Sequence, residues 1–529
     1  MSDYTWDFPY RSQRMPVLAA NVVATSQPLA AQAGLRMLLA GGNAVDAIVA
    51  TAAALTVVEP VMNGIGSDAF GLVWDGHRLH GLNASGRAPA AWTPEYFAGR
   101  ASMPPRGWDA VTVPGAVSAW VALSKTFGRL PFEKLLEPAI EYAERGFLVS
   151  PTVSRQWQGQ VESFRDEPGF AEAFLPDGRA PLPGEHFAFP HQGHTLREIA
   201  ATAGESFYRG ELARRIGAYA RRTGGALTRE DLAAHRADWV QPVSQEYRGY
   251  TLHEIPPNGQ GISALIALGI LGHFDLAAEP VDSAASLHLQ IEAMKLGFAD
   301  TYAQVADPRA MRVHGSGMLS PAYLASRAKL IDPQRAQDFG PGAPPPSGTV
   351  YLTAADAGGM MVSYIQSNYN GFGSGVVVSG TGISLQNRGS AFSLDPASPN
   401  VVAPGKRPFH TIIPGFLTRD GQAVMSFGVM GADMQPQGHV QMTVRLADYH
   451  QNPQAAVDAP RWKISKDRSI LVEHDMPAAT IDGLRERGHE VRVTPRWATD
   501  YGSAQLIHRL PQGYLAASEP RRDGQAVGF

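Results

Sequence analysis

Helical and two-residue apolar spacing alternate through the first part of the chain, and two-residue spacing dominates after residue 349. Leu29, Leu35, Met37 and Leu38 follow Ser26 and Pro28 and stop at Gly41-Gly42, which predicts a helix with Pro in its first turn. Asn43 can cap a second helix, Ala44 to about Val58, that is Ala-rich and apolar on nearly every side. Such a helix is buried between layers. Gly64 to Phe70 reads as a glycine turn into the strand Gly71-Leu72-Val73-Trp74, and Asp75-Gly76 turns the chain into Leu79–Asn83. Helical spacing returns from Pro114 to Arg145, while Phe147 to Trp239 mixes short helices with Pro/Gly-rich loops and holds no repeat. A strand from Tyr250 to Ile255 ends at Pro256-Pro257-Asn258-Gly259, and a long helix, Asp282 to about Val305, runs to Asp307-Pro308. Past Thr349 the pattern is β up to helices at Gln437–Tyr449 and Met476–Arg487, and the strands Ser503–Arg509 and Gly513–Ser518 close the chain. Helices outside an antiparallel-rich sheet make an α+β architecture.

The transition at residue 349 carries the candidate chemistry. Gly340 to Gly348, rich in Pro and Gly, can hold neither helix nor central strand and predicts an exposed loop. Two β-patterned runs follow, joined by Ala357-Gly358-Gly359 as a hairpin. Local pattern alone favours a domain linker and an ordinary strand. A cut before Thr349 would place a free α-amine beside its hydroxyl, the arrangement in which an N-terminal amine serves as base for a Thr nucleophile.

Composition narrows the classes. The 529 residues, 44% hydrophobic and 18% charged, describe a soluble globular protein with room for a large core. A net charge of −4 leaves no basic excess, so neither nucleic acid nor an anionic membrane is expected as a partner. Zero cysteines exclude disulfides, a thiol nucleophile and Cys-ligated metal. The amino terminus lacks a basic segment followed by an apolar run, which makes cytoplasmic the expected location.

Other motifs read as structure. Gly64-x-Gly66 follows a helix rather than a strand, the wrong context for a dinucleotide loop. His186, His191 and His194 are flanked by Pro and Gly and read as a solvated loop rather than a metal site. No Ser occupies a G-x-S-x-G elbow. Asp46 and Glu59 flank the apolar helix as caps or structural partners. Ser426 to Asp433 leaves a strand and enters a helix, a turn whose N–H groups can face a developing oxyanion.

Read together, Gly41-Gly42-Asn43-Ala44-Val45-Asp46-Ala47, Val58-Glu59-Pro60, Gly64-Ile65-Gly66 and Val113-Pro114-Gly115 resemble the γ-glutamyltransferase (γ-glutamyltranspeptidase) family. Glu292-Ala293-Met294-Lys295, Phe298-Ala299-Asp300, Asp307-Pro308, Phe372-Gly373-Ser374-Gly375 and Gly405-Lys406-Arg407-Pro408 continue the series in order. Ala459-Pro460-Arg461 and Ala517-Ser518-Glu519-Pro520-Arg521 complete it. The resemblance implies a four-layer αββα sandwich of the N-terminal-nucleophile hydrolase type, made as a proenzyme that cuts itself before Thr349. It implies a large fragment, 1–348, and a small one, 349–529, forming one domain, with homodimer formation left open. Thr349 matches the nucleophile, with Asp356 at the family's spacing behind it. Ser367 matches its supporting hydroxyl, and Gly431 and Ala432 match the oxyanion pair. No cofactor and no metal are implied.

The departures lie in substrate recognition. The acid that holds a substrate α-ammonium is replaced by Ala391, and Arg388 stands three residues earlier. Tyr369 replaces an expected Asn, although Asn368 and Asn370 flank it. His410-Thr411 replaces a Ser pair. The carboxylate-clamping Arg falls on Ser85, with Arg87 two residues on, and the lid loop is short, Leu394 to Pro404. A buried ammonium needs a counter-charge, and Arg forks suit carboxylates. The expected small-molecule substrate is therefore an amide that bears a carboxylate and lacks the α-ammonium, of glutaryl type or a small oxo-acid amide such as oxamate. Two alternatives stand: a γ-glutamyl hydrolase/transferase for glutathione-like donors, and an uncleaved, non-catalytic paralogue that binds without turnover.

Overall fold

The computed structural model describes residues 13–313, 315–340, 348–496 and 498–529; most of the Pro/Gly loop before Thr349 lies outside the described residues. Two seven-stranded sheets form the centre, every ladder in them antiparallel. One runs, edge to edge, Val17–Ala19, Tyr514–Ser518, Ser503–Arg509, Gln422–Met430, Gly415–Arg419, Tyr250–Glu254 and Val243–Tyr247. The other runs Gln525–Gly528, Val22–Thr25, Gly348–Ala355, Met361–Tyr369, Asp68–Trp74, Leu79–Asn83 and Asp238–Val240. Phe70, Leu72, Tyr351, Ile365, Phe416 and Ile507 fill the space between them. Gly428 is required there, because a Cβ on it would lie 2.4 Å from the Tyr351 ring.

Helices cover both outer faces. The helix Ala44–Val58 is buried at every residue, as its all-round apolar pattern predicts. Asn43 and Asp46 exchange capping-box hydrogen bonds at its start. Thr51 and Thr56 return their hydroxyls to the Ala47 and Ala53 carbonyls, so burial leaves neither unsatisfied. The helix Pro28–Leu39 packs on it through Gly34, where any side chain would meet the Thr51 hydroxyl. On the other sheet, Ile262–Leu271, Ala284–Gln304 and Met434–Ala447 bury a second apolar cluster. The layers are thus αββα. The helix starting at Met434 begins three residues before the sequence pattern places it, since polar Gln435 and Gln437 are buried and hydrogen-bonded rather than facing water.

The histidine-rich stretch differs from its sequence reading. Pro190 opens a helix, Pro190–Ala201, that carries His191 and His194, while His186 lies in a short strand and bonds the Arg145 carbonyl. Proline in a first helical turn starts a helix rather than ending one.

Among the described residues one set of ligand-capable side chains converges elsewhere, at His288, Glu292 and His489. Every group in it already has a partner. His288 bonds His489 at 2.8 Å and the Asp332 carbonyl at 2.8 Å, and Glu292 pairs with the Lys295 ammonium at 2.6 Å. That ammonium supplies the positive charge a cation would bring, so the cluster reads as a clasp between a helix and the C-terminal segment. No described helix is long and apolar enough to cross a membrane.

Candidate active site

Thr349 begins the central hairpin. Its neighbours pair as Gly348 with Tyr369 and Val350 with Gln366, a register shift that leaves Thr349 at a bulge facing Ser367. The two hydroxyls lie 3.2 Å apart, both buried. The Ser367 Oγ also accepts the Tyr369 N–H at 2.8 Å, which fixes its position. At the far end of the hairpin Asp356 accepts the N–H groups of Ala44 and Gly358, each at 2.8 Å. It ties the hairpin to the buried helix rather than touching Thr349.

Tyr369 takes a left-handed φ of 80°, and three residues on Phe372 drops into a nest of Trp157, Phe164, Phe170 and Phe174. That anchor turns the Tyr369 ring beneath Arg388, whose guanidinium carbon lies 4.5 Å from the ring centre. Arg388 is completely buried. Its Nη1 donates to the Thr411 hydroxyl at 2.7 Å, but Nε and Nη2 have no hydrogen-bond partner among the described residues. Burial lowers its pKa to about 10, opposed by the attraction of Asp68. A buried guanidinium with unpaired N–H groups is a ready anion site.

Asp68, not singled out from sequence, supplies the balancing charge. One of its oxygens accepts the Gly86 and Gly115 N–H groups, and the other meets His410 Nε2 at 3.1 Å. The Ile412 N–H approaches His410 Nδ1 at 3.4 Å, so Nε2 carries the proton and donates it to Asp68. Burial raises the Asp68 pKa to about 7, with Arg388 pulling it down, and burial keeps His410 neutral.

The other sequence candidates divide. Arg87 is held by Asp238 at 3.5 Å and Asp307 at 3.7 Å, in a half-exposed ionic network with Arg309 and Arg407. Ser85 bonds Asn83. Asn368 takes the Ser67 hydroxyl at 2.8 Å and faces the Gly64–Ser67 turn. Asn370 keeps a buried Oδ1 with no partner among the described residues. The loop Leu394 to Pro404 is tied down by Lys406, which donates to the carbonyls of Pro399 and Val401.

Gly431 and Ala432 form the turn from strand Gln422–Met430 into helix Met434–Ala447, with φ of 129° and 54°. No loop or side-chain acceptor among the described residues takes either N–H. Their carbonyls receive the Met434 and Gln435 N–H groups instead, so the helix start is completed behind the turn. Gln260, also missed from sequence, donates to the carbonyls of both Thr411 and Ala432. Its signal was a polar residue between a Pro/Gly turn and a wholly apolar helix.

The chain is 49% identical to the crystal structure of cephalosporin acylase from Bacillus halodurans, with a TM-score of 0.96 over 100% of this chain and 99% of that one. It is 39% identical over 515 residues to the oxamate amidohydrolase proenzyme of Klebsiella pneumoniae, covering 95% of this chain and 97% of the relative. The glutathione hydrolase-like YwrD proenzyme of Bacillus subtilis is 37% identical over 521 residues, 96% and 98% of the two chains. A family profile described as gamma-glutamyltranspeptidase matches residues 30–529, nearly the whole length. With its αββα layers and a Thr at the head of the central hairpin, the chain belongs to the γ-glutamyltranspeptidase family.

Proposed function

We propose that this protein is a self-processing amidohydrolase that cleaves an amide of a carboxylate-bearing substrate through a Thr349 acyl-enzyme. The reading rests on one observation above the rest, the buried Arg388 guanidinium beside Thr411, with two nitrogens that have no partner among the described residues. Cleavage before Thr349 yields fragments 1–348 and 349–529 and frees the Thr349 amine. That amine takes the proton from Oγ1 as the oxygen bonds the substrate carbonyl carbon. The N–H groups of Gly431 and Ala432 hold the oxyanion, and Ser367 supports the nucleophile from 3.2 Å. The C–N bond then breaks, the amine leaves with the proton, and water releases the acid from Thr349. Arg388 and Thr411 hold the substrate's remote carboxylate.

The charges beside Arg388 favour an acid without an α-ammonium over a γ-glutamyl donor. Asp68 is the nearby carboxylate, and its oxygens already accept from Gly86, Gly115 and His410. Asp433 is paired with Lys463 at 3.3 Å. Neither stands open to an ammonium group. Relatives named as an oxamate amidohydrolase and a cephalosporin acylase agree with an amide substrate.

The test has two steps. Intact mass and a denaturing gel of the wild type beside Thr349→Ala should give two fragments and one, respectively; an unsplit, inactive wild type overturns the reading. Hydrolysis of glutaryl-anilide and oxamate is then compared with that of γ-glutamyl-anilide. Preference for the γ-glutamyl donor would refute the assignment of Arg388.

A further inference from the structure

One side-chain amide joins the two halves of this site. Gln260 is fully buried in the turn between strand Tyr250–Glu254 and helix Ile262–Leu271. Its Nε2 donates to the Thr411 carbonyl at 2.6 Å and to the Ala432 carbonyl at 2.7 Å. Both acceptors are carbonyl oxygens, so only the NH₂ end of the amide can face them. Its backbone N–H donates to the His410 carbonyl at 3.0 Å, which locks the turn to the same His410–Thr411 segment. Its Oε1 has no partner among the described residues.

We infer that Gln260 is a positioning residue that fixes the separation between the carboxylate subsite at Arg388–Thr411 and the oxyanion turn at Gly431–Ala432, and thereby selects the length of the acyl group. The inference rests on the function proposed above. Thr411 presents its hydroxyl to Arg388 while its carbonyl is held by Gln260. Ala432 is a non-glycine residue at a left-handed φ of 54°, a conformation that persists only where its surroundings hold it. The Gln260 amide and the Gln435 N–H both grip the carbonyl of Ala432, which sets its torsions and so the direction of the adjoining N–H groups. Two carbonyls on one nitrogen can be no farther apart than the two bonds laid end to end. An acid that reaches Arg388 with one end must place its scissile carbonyl at Ala432 with the other, so the amide acts as a ruler.

The experiment measures hydrolysis of anilides of a diacid series, oxalyl through glutaryl to adipoyl, by wild type, Gln260→Met and Gln260→Asn. Gln260→Met keeps the volume and removes both donors; Gln260→Asn keeps the amide and shortens its reach. Expected for Gln260→Met is normal self-cleavage, with kcat for the preferred diacid down by about tenfold or more. KM should move less, and the chain-length preference should flatten. For Gln260→Asn the preferred length should shift. Should Gln260→Met fail to fold, Gln260→Asn carries the test alone. A self-cleaved variant with wild-type kcat and an unchanged length profile overturns the inference. Thr349→Ala is run beside them: hydrolysis surviving in that variant removes the underlying reading, and the inference with it.

Discussion

Thr349 and Ser367 face each other across one hairpin with their hydroxyl oxygens 3.2 Å apart, inside a fully packed sheet. A pair so placed shares a proton-transfer path, and losing the second hydroxyl should impair rather than abolish the first. Ser367→Ala is expected to slow both self-cleavage and turnover by about a hundredfold, followed by fragment appearance on a gel and by single-turnover kinetics. Ser367→Thr should recover much of the loss.

Arg388 is expected to act on substrate anions alone. Truncating one partner of a buried charge pair costs about 2–5 kcal/mol, so Arg388→Met should lower kcat/KM for a carboxylate-bearing amide at least about thirtyfold. Hydrolysis of a neutral amide of equal length should change little. Arg388→Lys should not restore the loss, because an ammonium cannot present the fork. Since the variant removes a buried charge lacking full pairing, its Tm at pH 6 should be no lower than wild type.

The pH dependence follows from Asp68. With its pKa raised to about 7 by burial, it is neutral below that value and leaves the Arg388 charge to the substrate. Above it, the Asp68 carboxylate competes for the same guanidinium, so KM for an anionic substrate should rise as pH passes through 7. Asp68→Asn should flatten that rise. The stability contribution has the matching sign. Between the unfolded value near 3.8 and the folded value near 7, the folded state holds the proton more tightly, so this group makes stability fall as pH rises. Denaturant midpoints at pH 5 and pH 8, wild type against Asp68→Asn, measure it.

At the oxyanion turn the side chain of Ala432 contributes strain and its N–H contributes chemistry. Ala432→Gly is expected to keep kcat within a few-fold of wild type, and to alter stability by no more than about 1 kcal/mol in the favourable direction. Ala432→Val should lose activity, because a β-branched residue resists the φ of 54°.

The layers and the hairpin were legible in the sequence because periodicity and glycine turns are local. Ala44–Val58 is apolar on nearly every side and is buried on every side. The strand Ser503–Arg509 has the bounds that the sequence predicts. Asp68 and Gln260 were not legible. Asp68 stands at the head of the strand Asp68–Trp74, just past a glycine turn, and its partners at Gly86, Gly115 and His410 are brought to it by the fold. Gln260 acts through backbone carbonyls of two segments distant in sequence, which leave no mark on any side chain nearby. Arg388 was visible as a residue, yet its burial over Tyr369 depends on Phe372 finding its aromatic nest. Arg87 was likewise visible as a residue, but its partners Asp238 and Asp307 lie far off in sequence.

Both sheets contain strands from before and after Thr349: Val22–Thr25 lies between Gln525–Gly528 and Gly348–Ala355, and Val17–Ala19 borders Tyr514–Ser518. Breaking the backbone ahead of Thr349 would thus leave two polypeptides that share both sheets of one interior. Neither could depart without tearing open a ladder at each of its edges. The mature protein should melt in a single transition governed by the rate of unfolding rather than by a reversible dissociation equilibrium. Its two chains, once parted by denaturant, should recombine poorly, each having lost the neighbours against which its strands were first laid down.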